Sequence, residues 1–162
     1  MNRQRLVVLI ESAIMTALSY ILNLIVLFQM PQGGSVSAGA MVPIIILSVR
    51  RGPRAGMLAG AATGLLQFLI GKQFSLHPLS ILLDYVLAYA VIGIVGYFGK
   101  SKARVSLGIC ASVLLRFVSH VISGALIFYE YAGNQNPWIY SIIYNGTFLL
   151  PELAITLVIT IL

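Results

Sequence analysis

Acidic residues are almost missing from this sequence: Glu11, Asp84, Glu130 and Glu152 are the only four in 162 positions, and charged side chains of both signs make up 9%. A share that low excludes an ordinary soluble domain, in which about a quarter of residues are charged. Cysteine is scarcer still. Cys110 stands alone inside an apolar stretch, which excludes an internal disulfide or a thiolate metal cluster and reads as an inert, buried thiol. The two histidines fall in no His-Glu-x-x-His arrangement, and no Gly-x-Ser-x-Gly turn occurs. Gly71-Lys72 has neither the spacing nor the following Ser or Thr of a phosphate-binding loop. Catalysis and ATP hydrolysis are disfavoured for this chain, and nothing calls for a cofactor or a metal.

What the sequence does have is apolar. Hydrophobic residues make up 59% and the mean hydropathy is +0.98, which places the chain inside a bilayer. Breaks at Pro, Gly and basic clusters divide it into six helical segments near 6 to 28, 37 to 49, 54 to 71, 79 to 98, 105 to 128 and 138 to 162, forming one all-α domain over 1–162. Arg3 and Arg5 precede the first run with no cleavage site and no polar domain after it, so the run reads as a spanning helix rather than a removed signal. The final helix stops at Leu162 without a basic tail and reads as cut short.

The net charge of +6 does not point to nucleic acid, because the cations sit in short clusters between apolar runs. Arg3 and Arg5, then Arg50, Arg51 and Arg54, then Lys100, Lys102 and Arg104 all fall on one side, which the positive-inside rule makes the cytoplasm. Both termini are then cytoplasmic. On the other side, Gln32-Gly33-Gly34-Ser35 follow Met30-Pro31 in a turn-rich loop that can fold over a cavity as a lid. Gly56, Gly60 and Gly64 repeat at four-residue spacing, as do Ala13 and Ala17, giving flat faces for close helix approach.

Polar residues inside the apolar runs are costly and therefore informative. With a rise of 1.5 Å per residue, Asp84 lies about 8 Å below the outer surface, Asn145 about 10 Å, His120 about 12 Å, Arg116 about 18 Å and Glu152 about 21 Å. Asp84, His120 and Asn145 form one shallow layer, joined by Tyr85, Tyr140 and Tyr144. Arg116 and Glu152 lie deeper, at matching depth, as an ion pair or as ligand groups. An anion, an imidazole, an amide and aromatic rings at one level suit a planar, nitrogen-rich cation.

Six pieces of the chain resemble one known family, the substrate-binding S components of energy-coupling factor (ECF) vitamin transporters, and within it the thiamine-specific members. They are Ala13-x-x-x-Ala17, Met30-Pro31-Gln32-Gly33-Gly34-Ser35, Pro43 to Gly52, Leu83-Asp84-Tyr85, Arg116-Phe-Val-Ser-His120-Val-Ile-Ser-Gly124 and Trp138-Ile-Tyr140-Ser-Ile-Ile-Tyr-Asn145. The resemblance implies a six-helix S-component fold in a prokaryotic cell membrane and an outward-facing thiamine site. It further implies docking of the Ala13 and Ala17 face on a transmembrane coupling protein with two ATPase subunits. It places substrate contacts at Asp84, Tyr85, His120, Gly124, Tyr140 and Asn145, with Phe74, Arg116 and Phe128 where relatives can carry Tyr, Lys and Trp. Relatives can also carry Glu in place of Asp84. An S component for another vitamin or a thiamine precursor is the nearest alternative. A free-standing proton-coupled carrier using Asp84, Arg116, His120 and Glu152 is another.

Overall fold

Residues 3–162 are described by a computed structural model. Helix α1 (Arg3–Leu24) leads into a two-stranded antiparallel hairpin, β1 (Val26–Gln29) and β2 (Ser35–Ser37). Then come α2 (Val42–Arg51), α3 (Pro53–Ile70), α4 (Pro78–Tyr97), α5 (Lys102–Leu126) and α6 (Pro137–Ile161). Pro in the first turn starts α2, α3, α4 and α6, where its fixed φ fits and its missing N–H costs nothing.

Among the described residues, α1, α4, α5 and α6 are long and apolar enough to cross a bilayer. The ten residues of α2 reach only about 15 Å. The 18 residues of α3 are long enough, but Gly, Ala and Thr dilute their hydropathy. Six helices in a membrane protein are as the hydrophobic runs imply.

The largest departures from the expected boundaries fall in the first two segments. The first run does not stay helical to 28, because β-branched Ile25 and Val26 turn into a strand that pairs Phe28 with Val36 and Gln29 with Ser35. The second begins at Val42 instead of 37, since Ser37 ends β2 and Gly39 turns the chain at a φ of +91°. An apolar run alone does not separate strand from helix. Cys110 also corrects the sequence reading: it is exposed on the outer face of α5 rather than buried.

The short α2 lies at the centre. Ile44, Ile45 and Leu47 are fully buried, and the two isoleucines share a core cluster with Ile92, Val95, Ile109 and Leu149. The glycine stripe of α3 faces α4, with Gly60 against the Tyr89 carbonyl and Gly64 against the Tyr85 carbonyl, too close for any Cβ. Ser48 of α2 donates to the Gly93 carbonyl and accepts from the Gly96 amide at 3.0 Å. Helix α4 is not uniform: Ile81–Leu87 is a π-helix and Val91–Tyr97 a 3-10 helix. Ser119 of α5 satisfies the Leu83 carbonyl in the widened stretch at 2.6 Å.

By contrast, α1 buries little beyond Thr16 and Ser19. Ser19 donates to the Ala40 carbonyl at 2.6 Å, and Glu11 pairs with Arg50 at 3.1 Å and Arg51 at 2.5 Å. That clamp lies at the end the basic clusters mark as cytoplasmic.

Candidate substrate-binding site

At the opposite end the helices splay around a cavity of about 310 Å³, roofed by the hairpin. Helix α4 contributes Asp84 and Tyr85, both from its π-helical stretch, where the altered pitch changes the direction of successive side chains. From α5 come Arg116, His120 and Gly124, and Phe128 follows its end. Tyr140 and Asn145 stand on α6, while Phe74 comes from the loop after α3. Gln32, Gly33, Gly34 and Ser35 close the cavity from above. The structure thus brings every expected contact residue to one cavity. Ala13 and Ala17 are not there; they are exposed on the outer face of α1, in an apolar groove shared with Ala55, Leu58 and Ala62 of α3.

Asp84 is the most heavily bonded group. Ser80 donates to Oδ2 at 2.8 Å, Ser123 makes a very short bond to the same oxygen, and His120 Nδ1 lies 2.9 Å from Oδ1. On its far side, His120 Nε2 is 3.4 Å from Arg116 Nε. A guanidinium can only donate, so Nε2 carries the lone pair and Nδ1 the proton that goes to Asp84. That tautomer is neutral. The side chain of Arg116 also lies over the Tyr89 ring, 4.7 Å from its centroid, and its Nη1 is 3.8 Å from Glu152 Oε2.

This chain of contacts adds a link between the shallow and deep groups expected from helical rise. His120 bridges Arg116 and Asp84. Arg116 and Glu152 do form the ion pair, both nearly inaccessible. The charge account follows. Glu152 offsets Arg116, His120 is neutral, and Asp84 is held entirely by neutral donors, so the buried groups carry one net negative charge. Lys72 is exposed at the rim, over the Phe74 ring at 5.4 Å.

Aromatic rings complete the walls. Tyr140 stacks with Tyr144 at 6.0 Å and 16°, Phe128 stacks with Tyr131 at 6.1 Å and 19°, and Tyr85 meets Phe68 edge-on at 5.4 Å. Tyr144 also holds the lid, its hydroxyl accepting from Gln32 N at 3.1 Å and Gly34 N at 3.3 Å. Beneath the tip the fit is close: a Cβ on Gly33 would come within 2.5 Å of the Phe74 ring, and one on Gly34 within 2.5 Å of Phe148. Asn145 spends its amide N–H groups on Ser141, bonding the carbonyl at 2.9 Å and Oγ at 3.1 Å. Gly124 leaves room for that same Ser141 hydroxyl.

A cavity that combines a carboxylate with stacked rings has the chemistry to take an aromatic cation. The family described as "Thiamine transporter protein (Thia_YuaJ)" matches residues 9–162. The chain belongs to this thiamine transporter family. Its relatives include the thiamine transporter ThiT of Bacillus subtilis (strain 168), 44% identical over 96% of this chain and 89% of that protein. The thiamine transporter ThiT of Lacticaseibacillus paracasei is 30% identical over 98% of this chain and 87% of that one. Among solved structures, ThiT from Listeria monocytogenes superposes with a TM-score of 0.87 at 28% identity, covering 97% of this chain and 92% of the other. The likeness to thiamine-type S components read from the six motifs therefore holds, and the chain is a multi-pass membrane transport protein of the thiamine transporter family rather than an enzyme.

Ser80, Ser123, Tyr144 and Phe148 were not among the residues the sequence marked as contacts, although Tyr144 belongs to the aromatic group at the start of α6. Serines in an apolar helix are common packing residues and carry no signal of their own. Their spacing from known positions does carry one: Ser80 is four residues before Asp84, and Ser123 is three after His120.

Proposed function

We propose that this protein captures thiamine on the outer side of a bacterial membrane as the S component of an ECF transporter and delivers it inward with a separate coupling protein and two ATPases. The observation that carries this reading is the charge account: Asp84 is a carboxylate with only neutral partners, at the wall of an aromatic cavity. Thiamine is a monocation built of two flat heteroaromatic rings, so it supplies the one missing charge and has faces for the tyrosine and phenylalanine pairs. Asp84 offsets the charge, His120 holds Asp84 in place, and Asn145 and Tyr140 fix the orientation of the rings.

With no phosphate-binding loop, the chain has to borrow its energy. The groove around Ala13 and Ala17 supports docking on the coupling protein, because exposed small residues let a partner helix approach its backbone. Isothermal titration of the full chain in detergent tests the binding step. Thiamine should bind one to one, and the pyrimidine and thiazole fragments should compete far more weakly. Preference for a fragment, or for a neutral vitamin, would reassign the substrate.

A further inference from the structure

The buried carboxylate of Glu152 faces two directions. Its Oε1 accepts a hydrogen bond from Ser37 Oγ at 2.9 Å, while Oε2 faces Arg116 Nη1 at 3.8 Å, longer than a hydrogen bond. Oε2 and Nη1 are both buried and make no hydrogen bond to any described residue. Glu152 is 2% exposed and does not line the cavity, yet it connects the cavity wall to a structural joint.

That joint is the foot of the lid. Ser37 is the last residue of β2, and its Oγ also accepts from Ala40 N at 3.2 Å, shaping the turn at Gly39. The Ala40 carbonyl in turn takes the Ser19 hydroxyl of α1. The hairpin is therefore fastened at its tip by Tyr144 and at its foot by Glu152, both on α6 and two turns apart.

We propose that Glu152 is a positioning residue that couples the charge in the cavity to the lid, holding Ser37 with one oxygen and drawing in the Arg116 guanidinium with the other when a cation arrives beside Asp84. The physics is like-charge repulsion. A cation next to Asp84 and His120 adds positive charge on the side of Arg116 facing the cavity, and the guanidinium moves toward the one anion behind it. In a site of low dielectric, shortening a 3.8 Å ion contact to a charge-assisted hydrogen bond is strongly favoured. The carboxylate so fixed holds Ser37 more firmly, and the lid stays shut over the ligand. The inference rests on the reading that the cavity takes a cation, thiamine in particular.

The test uses the full chain in nanodiscs with Glu152→Gln, Ser37→Ala and the double variant. Glu152→Gln keeps an acceptor for Ser37 but removes the charge, whereas Ser37→Ala removes a single hydroxyl and leaves the bundle core untouched. Each single variant should release thiamine roughly tenfold faster with little change in association rate, and the double variant should be no faster than the worse single. Hydrogen exchange of residues 30–41 provides the second readout. Thiamine should slow it in the wild type and slow it much less in either variant, and Ser37→Ala should raise it even without thiamine. Wild-type release rates and protection in both single variants, or rate effects that simply add, would overturn the coupling. A wild-type protein that ignores thiamine would instead overturn the substrate assignment, and the ligand-free exchange of Ser37→Ala would still decide whether Ser37 fastens the hairpin.

Discussion

Gly64 of α3 lies directly against the carbonyl oxygen of Tyr85, so close that a β-carbon on Gly64 would occupy the same space. The contact sits where α4 is π-helical, one residue from Asp84. The geometry of the anion thus depends on a glycine outside the cavity wall. Gly64→Ala should force α4 away, destabilise the protein by about 1–3 kcal/mol and weaken thiamine binding along with it. Gly146, on α6, has open space where its Cβ would be, and Gly146→Ala should leave both quantities near wild type. Thermal unfolding in detergent and titration of both variants check the contrast.

Asp84→Asn keeps the size of the side chain and removes its charge. With the unbalanced anion gone, thiamine should bind at least about 30-fold more weakly, a loss of about 2 kcal/mol. A neutral pyrimidine fragment should lose much less. Titration of both ligands against both proteins measures the difference.

Tyr144→Phe takes away one oxygen and leaves the ring stacked on Tyr140 and edge-on to Phe148. The amides of Gln32 and Gly34 lose their acceptor, a cost of about 1–2 kcal/mol to the closed lid. Thiamine should dissociate several-fold to tenfold faster at a nearly constant association rate. Stopped-flow displacement reads both.

Ala13 and Ala17 are exposed and lie outside the cavity, so a larger side chain there should separate binding from transport. Ala13→Leu with Ala17→Leu should bind thiamine as the wild type does, yet abolish its uptake in cells that supply the coupling protein and ATPases. Uptake at the wild-type rate would remove this face from the docking surface.

Much of this arrangement was legible because a bilayer makes polar residues conspicuous. Asp84, His120 and Asn145 stood out from apolar runs, and the four-residue step from Arg116 to His120 placed both on one face of α5. The hairpin was less visible. Val26, Leu27 and Phe28 continue the hydropathy of α1 without a break, and only the pairing with Ser35 to Ser37 makes them a strand. Matching depths for Arg116 and Glu152 agreed with their ion pair, but a rise per residue locates only a Cα and did not reveal that the Arg116 side chain also meets His120. Nothing in the pattern marked the π-helical turn at Asp84, where the backbone meets Gly64 of α3 and Ser119 of α5. For Cys110 an apolar neighbourhood was read as burial, but in a membrane an apolar residue is equally at home facing lipid.

The shortness of α2 has a consequence for the membrane itself. A central helix of ten residues covers about half the hydrocarbon thickness, and the hairpin that precedes it in the chain occupies the remaining height. Its outer strand shows Val26, Leu27 and Phe28 to the surroundings while its inner strand is largely enclosed. The surroundings there meet a two-stranded ribbon fastened at its tip by Tyr144 and at its foot by Glu152, where the rest of the perimeter is helical. Bilayer thickness should therefore act on the mouth of the cavity, and thiamine release rates compared in nanodiscs of short-chain and long-chain lipids check it.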